Sequence, residues 1–323
     1  MAERKRTATL NGMTIWRMTD GRPGHDKQSA GLVQGLVEAI ADLGWPEPEV
    51  ETFLLPKDLP VLREHWRHGT ASPDLVLGAG RATQLSLLRT KFALGSQAVL
   101  LMRPYWPSPL FDLMLIPEHD VFWSERKVLR TMGMLGPVSA KHTCKVEDKG
   151  LILLGGESRH FIWNEEAVLS SIQRILARDS SISWTLTDSR RTPAELTRRL
   201  GSDLDIQVED RPQIVHWRDA DTSWLSEELA TAAQVWVTAD SASMLYEALS
   251  AGAKVGVIEL PYRRSRSGNK LQRGLDQLLE QERIALSSRG SISDQRVRSV
   301  PLGEHIRCAQ VILMRLFIDG ASL

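Results

Sequence analysis

Cysteine is nearly missing from this chain of 323 residues: only Cys144 and Cys308 occur. Two isolated thiols make neither a disulfide framework nor a zinc cluster, and they fit a reducing compartment. No apolar run approaches the roughly 18 residues that a membrane-spanning helix needs. Charge of one sign is not in excess either, since 40 Lys and Arg face 40 Asp and Glu. Zero net charge leaves no global footprint for nucleic acid, so none is expected as a partner. Nowhere does a G-x-x-x-x-G-K-[ST] phosphate loop appear. The start, MAERKRTATLNG, is basic but leads into no signal-peptide core. It reads as a disordered leader, with peripheral contact to anionic lipid as the weaker alternative.

What is present is ordinary globular composition, with 42% hydrophobic and 25% charged residues. At roughly 100–200 residues per domain, the length points to two domains. Short apolar runs alternate with amphipathic patterns throughout. In the first half strands are expected at 14–19, 50–55, 74–79, 98–103 and 112–117. In the second half they are expected at 150–156, 182–188, 205–210, 235–240 and 254–260. Leu32, Val33, Leu36, Ile40 and Leu43 recur at helical spacing after the first strand. Further helices are expected near 164–178, 193–201, 222–233, 241–252 and 268–283. This alternation means right-handed βαβ units and parallel sheets. The fold class is therefore α/β, with two doubly wound halves facing a central cleft. Residues 1–146 form the first domain and 147–301 the second, and the amphipathic 302–323 segment is expected to cross back onto the first.

In open α/β sheets ligands bind beyond the carboxyl ends of the strands. There the chain is unusually polar. The first loop reads Asp20-Gly21-Arg22-Pro23-Gly24-His25-Asp26, more acid, base and cation than a turn requires. The stretch GAGRAT, Gly78 to Thr83, has Thr83 where the third glycine of a dinucleotide fingerprint belongs, and lacks a convincing acidic partner about 20 residues on. Its glycines read equally as a tight turn or as a ligand-facing loop, with Arg81 beside them. Glu118, His119 and Asp120 end another strand as acid/base candidates or as a solvated loop. In TDSRRTP, Ser189, Arg190, Arg191 and Thr192 precede Pro193 at a helix start, which suits an anion site or a surface cap. VTADSASMLYEA places Ser241 and Ser243 in a first helical turn and Glu247 one turn beyond Ser243. Free amides and hydroxyls there suit a diphosphate, and a carboxylate can take two ribose hydroxyls. An ordinary Asp/Ser cap is the plainer reading. The basic loop near Gly268 and Lys270 closes on phosphate or is simply solvated. DAD at 219–221 precedes a helix, so Asp221 reads as a cap and not as a metal ligand.

Taken together, TDGRPGHDKQ, GAGRAT, FDLMLIPEHD, LLGGES, TDSRRTP and VTADSASMLYEA run in this order across nearly the whole chain. The set resembles the Elm-type family, named for a plant mitochondrial fission protein and abundant in bacteria. One departure is LMRPYWP, where Arg103 precedes Pro104 and relatives carry a His-Pro-Arg-like order. The family is similar to GT-B glycosyltransferases. The resemblance implies a nucleotide-sugar co-substrate, no cofactor and no metal. It places the donor diphosphate at Ser241 and Ser243 with Ser189, Arg190, Arg191 and Lys270, and the ribose at Glu247. Arg22, Gly24, Arg81, Glu118 and His119 fall on the acceptor side. Gly24-His25 is similar to the Gly-Gly-His loop of the peptidoglycan N-acetylglucosaminyl transferase, which makes His25, Asp20 or Asp26 the catalytic base. The expected activity is sugar transfer to a cell-envelope glycan or glycolipid, in the cytoplasm or at the inner membrane face. The alternatives are an inactive scaffold binding a membrane or protein partner, and a nucleotide-sugar epimerase or hydrolase.

Overall fold

A computed structural model describes residues 12–118, 126–138, 144–202, 212–221, 223–263 and 270–318. The chain divides into two compact units. One comprises the described residues up to Pro137 together with those from Gly303 onward, and the other runs from Val138 to Leu302.

The first unit is built on a six-stranded parallel sheet in the order β2-β1-β3-β4-β5-β6. Its strands are β1 Thr14–Thr19, β2 Glu49–Leu54, β3 Leu75–Ala79, β4 Gln97–Leu101, β5 Leu113–Pro117 and β6 Val128–Thr131. Alternation along each strand sorts the side chains into two cores. Ile15, Leu75, Leu77, Val99, Leu101, Leu113 and Leu115 share one cluster with Leu32, Leu36 and Ile40 of helix α1 (Pro23–Asp42). Trp16, Met18, Val76, Ala98, Leu100, Met114 and Ile116 share the other with Leu62 of α2 (Leu59–His68) and Leu87 and Leu88 of α3 (Gln84–Leu94). Central strands of this kind, apolar on both faces, are what a parallel sheet covered by helices demands.

Helix α9 (Glu304–Leu313), continued by a π turn over Met314–Ile318, adds Cys308, Ala309, Ile312, Leu313, Leu316 and Phe317 to the α1 side of that sheet. It lies against α1 at close range. A Cβ on Gly35 would sit 2.3 Å from the His305 carbonyl oxygen, so only glycine allows this helix crossing. Polar contacts fix its start, since Glu304 accepts the Met132 N–H at 2.9 Å and Arg307 donates to the Arg130 carbonyl at 2.6 Å.

The second unit carries a parallel sheet in the order β12-β11-β10-β7-β8-β9. These strands are β7 Val146–Leu153, β8 Ser183–Thr187, β9 Gln213–Val215, β10 Ala232–Thr238, β11 Lys254–Ile258 and β12 Ile284–Leu286. Helices α4 (Glu165–Arg178), α5 (Ala194–Ser202), α6 (Trp224–Thr231), α7 (Ala242–Ser250) and α8 (Lys270–Glu280) connect them. The two sheets make the α/β class plain. The strand expected at 205–210 lies outside the described residues, and the chain enters the β9 position at Gln213. Among the described residues no helix is long and apolar enough to cross a membrane.

Candidate functional site

In the first unit the β1–α1 loop brings its ionisable groups together. His25 Nδ1 lies 3.1 and 3.0 Å from the two carboxylate oxygens of Asp20, and both side chains are largely buried. A carboxylate only accepts, so the shared hydrogen is on Nδ1, and in the neutral ring Nε2 then keeps its lone pair. This is the orientation a general base needs. Asp20 is itself fixed, because it accepts the Arg22 N–H at 3.2 Å and lies 3.7 Å from the Arg22 guanidinium, which is otherwise exposed. The ring rests on the second glycine of GAGRAT. A Cβ on Gly80 would lie 2.4 Å from His25 Cε1 and Nδ1, and Gly80 has φ +85°.

Asp26 points elsewhere. Its carboxylate takes the Arg17 guanidinium and, at 3.0 Å, the Thr19 hydroxyl. Arg17 also reaches the Asp26 carbonyl and Ser29 Oγ, each at 3.0 Å, so this group ties the first turn of α1 to β1. Gly24 stands open, with no atom within 4 Å of where a Cβ would be. Arg81 stacks on Tyr105, 3.7 Å from the ring centre. Glu118, at the end of β5, is exposed. Arg307 is raised above its ordinary value first by its hydrogen bond to Glu304, with a smaller contribution from the Glu118 charge. His119 lies outside the described residues.

In the second unit the loops after β7, β8 and β10 meet at the carboxyl end of the sheet. Asp240 follows β10 with its side chain wholly buried. Its Oδ2 accepts the Gly156 N–H at 3.0 Å and the Arg191 guanidinium at 2.7 Å, and Oδ1 has no hydrogen-bond partner among the described residues. Thr238 Oγ1 accepts the Gly155 N–H at 2.8 Å. Ser189 donates to the Gly155 carbonyl at 2.6 Å, and Thr192 binds the same carbonyl. Arg190 turns away onto Trp217, 5.4 Å from its ring centre. Asp188 holds that neighbourhood by accepting from the Trp217 N–H at 2.7 Å, Thr197 Oγ1 at 3.0 Å and His216 Nδ1 at 3.3 Å.

Beyond Asp240, α7 begins without a cap. Ser241 occupies the capping position and makes no side-chain bond to the helix. The amides of Ala242, Ser243 and Met244 are those with no intrahelical carbonyl to meet. Ser243 Oγ donates to Glu247 Oε1 at 2.9 Å, and Glu247 is buried. The Lys270 side chain lies outside the described residues. Asp221 caps the start of α6 by accepting the Ser223 and Trp224 N–H groups at 2.8 and 2.7 Å. Those bonds, with the Ser223 hydroxyl first, hold the pKa of its carboxyl below the usual carboxylate value. Among the described residues no cluster of three or more His, Cys, Asp or Glu could hold a metal ion.

Three groups here escaped the reading of the sequence. Asp188, Asp240 and Gly80 were visible as residues, but His216, Gly156 and His25, which fix their roles, each lie 28 or more residues away. No spacing rule connects such positions.

The sequence matches the mitochondrial fission ELM1 family over residues 23–316. The chain belongs to that family. It is 23% identical to the uncharacterized protein RP120 of Rickettsia prowazekii (strain Madrid E), covering 95% of this chain and 99% of that protein. Among solved structures it is similar to the UDP-GlcNAc 2-epimerase of Methanocaldococcus jannaschii, at 10% identity and a TM-score of 0.55 over 93% of this chain and 99% of that one. The S. aureus MnaA structure with UDP gives 15% identity and a TM-score of 0.53 over 96% and 99%. The likeness extends to a putative UDP-N-acetylglucosamine 2-epimerase of Listeria monocytogenes, at 14% identity and 0.53 over 96% and 91%. The fold of this ELM1-family chain is GT-B, as in those UDP-GlcNAc 2-epimerase structures.

Proposed function

We propose that this protein is a nucleotide-sugar-dependent glycosyltransferase, with a cell-envelope glycan or lipid-linked acceptor. The uncapped start of α7 is the observation that carries this reading. Unmet amides, the helix dipole, Ser241 and Ser243 suit a diphosphate, and Arg191 at the same end of the sheet supplies a cation for the leaving group. Glu247, already oriented by Ser243, suits the vicinal hydroxyls of a ribose. His25 takes the proton from the acceptor hydroxyl, and Asp20 stabilises the imidazolium that forms. A base of this kind contributes about 10²–10⁴-fold. Asp26 is left a structural part, because Arg17 and Thr19 already occupy its carboxylate. That S. aureus MnaA was solved with UDP supports a uridine nucleotide as the first donor to try.

The test is a thermal-shift screen of UDP-, GDP-, ADP- and CMP-sugars. Ligand at 100 times its Kd adds about 2.7 kcal/mol. The shift should be lost in Glu247→Gln and Ser243→Ala and kept in His25→Ala, which should lose turnover instead. If no nucleotide-sugar raises the melting temperature, the reading fails. Interconversion of the nucleotide-sugar without an acceptor would replace transfer by epimerisation.

A further inference from the structure

Between Asp74 and Asp112 the sequence contains no Asp or Glu, yet it carries Arg81, Arg89, Lys91 and Arg103, of which Lys91 pairs with Asp112 at 2.8 Å. Forty acidic residues distributed through 323 make such a gap unusual. The segment includes α3 and the loop after β4, and the structure gives that helix an exposed face of an unusual kind. Arg81, Leu85, Arg89 and Phe92 follow one another at three- and four-residue spacing, so they line one side. Phe92 is 67% exposed, Tyr105 61%, Leu85 45% and Trp106 41%. A groove of about 560 Å³ between α2 and α3 is lined by Trp66, Leu85, Leu88, Arg89, Phe92 and Ala93.

The cations and aromatics on this face are interleaved. Arg81 lies 3.7 Å from the Tyr105 ring centre, and Arg89 lies 5.7 Å from that of Trp66. Neither guanidinium has a carboxylate partner among the described residues. Gln84 fixes the aromatic loop by accepting the Tyr105 N–H at 2.7 Å and donating to the Arg103 carbonyl at 3.3 Å. Large apolar groups held outward together in this way mark an interaction surface.

We infer that this face of α3, with Tyr105 and Trp106, docks the protein on an anionic phospholipid surface. The argument is charge complementarity. Guanidinium groups backed by aromatic rings suit the headgroup layer, while Phe92 and Leu85 suit the acyl boundary beneath it. A second copy of the chain is the poorer occupant, because a two-fold contact would set this patch against itself, and the patch holds no carboxylate paired with Arg81 or Arg89. The face begins one residue after Gly80, on which the His25 ring rests. The inference does not depend on nucleotide-sugar chemistry, and its test uses no nucleotide.

The full chain is sedimented with vesicles of phosphatidylcholine alone and of phosphatidylcholine blended with phosphatidylglycerol. It should pellet with the blended vesicles only, and added salt should release it. Arg89→Gln should weaken that binding about fivefold. Phe92→Ser should abolish most of it while far-UV circular dichroism and melting stay as in the wild type, since the side chain is mainly in water. Equal pelleting with both vesicle types would overturn the inference. So would binding that survives both substitutions unchanged, which would put the lipid contact elsewhere on the chain. Self-association without lipid that Phe92→Ser dissolves would make the face an interface between copies instead.

Discussion

Replacing Gly80 by alanine tests the apposition of the first and third loops at one atom. Two costs follow from the structure. At φ +85° and ψ 174° the backbone is in a region that only glycine occupies freely. Holding a side chain there costs about 1–3 kcal/mol. The new Cβ also lies 2.4 Å from a ring that Asp20 holds in place. Overpacking of that kind costs about another 1–3 kcal/mol. A sum of about 4 kcal/mol lowers the melting temperature by roughly 10 °C in a domain of this size. Gly24→Ala makes the same chemical change at an exposed position in the first turn of α1, where nothing lies within 4 Å. It should be neutral, or favourable by up to about 1 kcal/mol. The double variant His25→Ala/Gly80→Ala removes the ring and leaves only the backbone cost, so the two substitutions should couple by about 1–3 kcal/mol. Melting curves and urea titrations of the wild type, the three single variants, His25→Ala among them, and the double variant supply the numbers. The reasoning is refuted if Gly80→Ala melts with the wild type, or if the double variant loses the full sum of the single effects.

Two further outcomes rest on contacts already described. Arg191→Ala should destabilise by about 3 kcal/mol, because it leaves the wholly buried Asp240 charge with one amide partner. Asp240→Asn should cost only about 1 kcal/mol, since an amide oxygen can still accept from Gly156 and the freed arginine is half-exposed; the reverse order in urea titration would count against a charged Asp240. Burial first, with Glu304 nearby, pushes the Cys308 thiol up to about 12, whereas Cys144 is exposed. Because the thiolate is the nucleophile, native protein near pH 8 should take one equivalent of maleimide and unfolded protein two. Two equivalents in the native state would show that α9 is not closed over the sheet.

Strand–helix alternation was legible because the central strands are apolar on both faces and their helices bury several residues at 3.6 spacing. The strands β6 and β12 and the helix α2 left weaker marks. Strands β6 and β12 are four and three residues long at sheet edges, and α2 buries only Leu62. The charged loops were legible as candidates because they follow strands. Their internal division of labour was not. Nothing in Asp20-Gly-Arg-Pro-Gly-His-Asp26 says that one aspartate orients the histidine while the other turns back to Arg17, since Arg17 reads merely as a strand residue. Asp240 likewise looks like a helix cap, and only the approach of Gly156 and Arg191 makes it the fixed point of three loops.

Helix α9 has a consequence for how the chain is made. The sheet that is synthesised first keeps one face bare of Ile312, Leu313, Leu316 and Phe317 until that segment, which follows the second unit in sequence, has left the ribosome. The stretch from Val138 to Leu302 has all of its own strands and helices by then. The order of synthesis therefore lets the second unit close before the first, the reverse of the usual vectorial order.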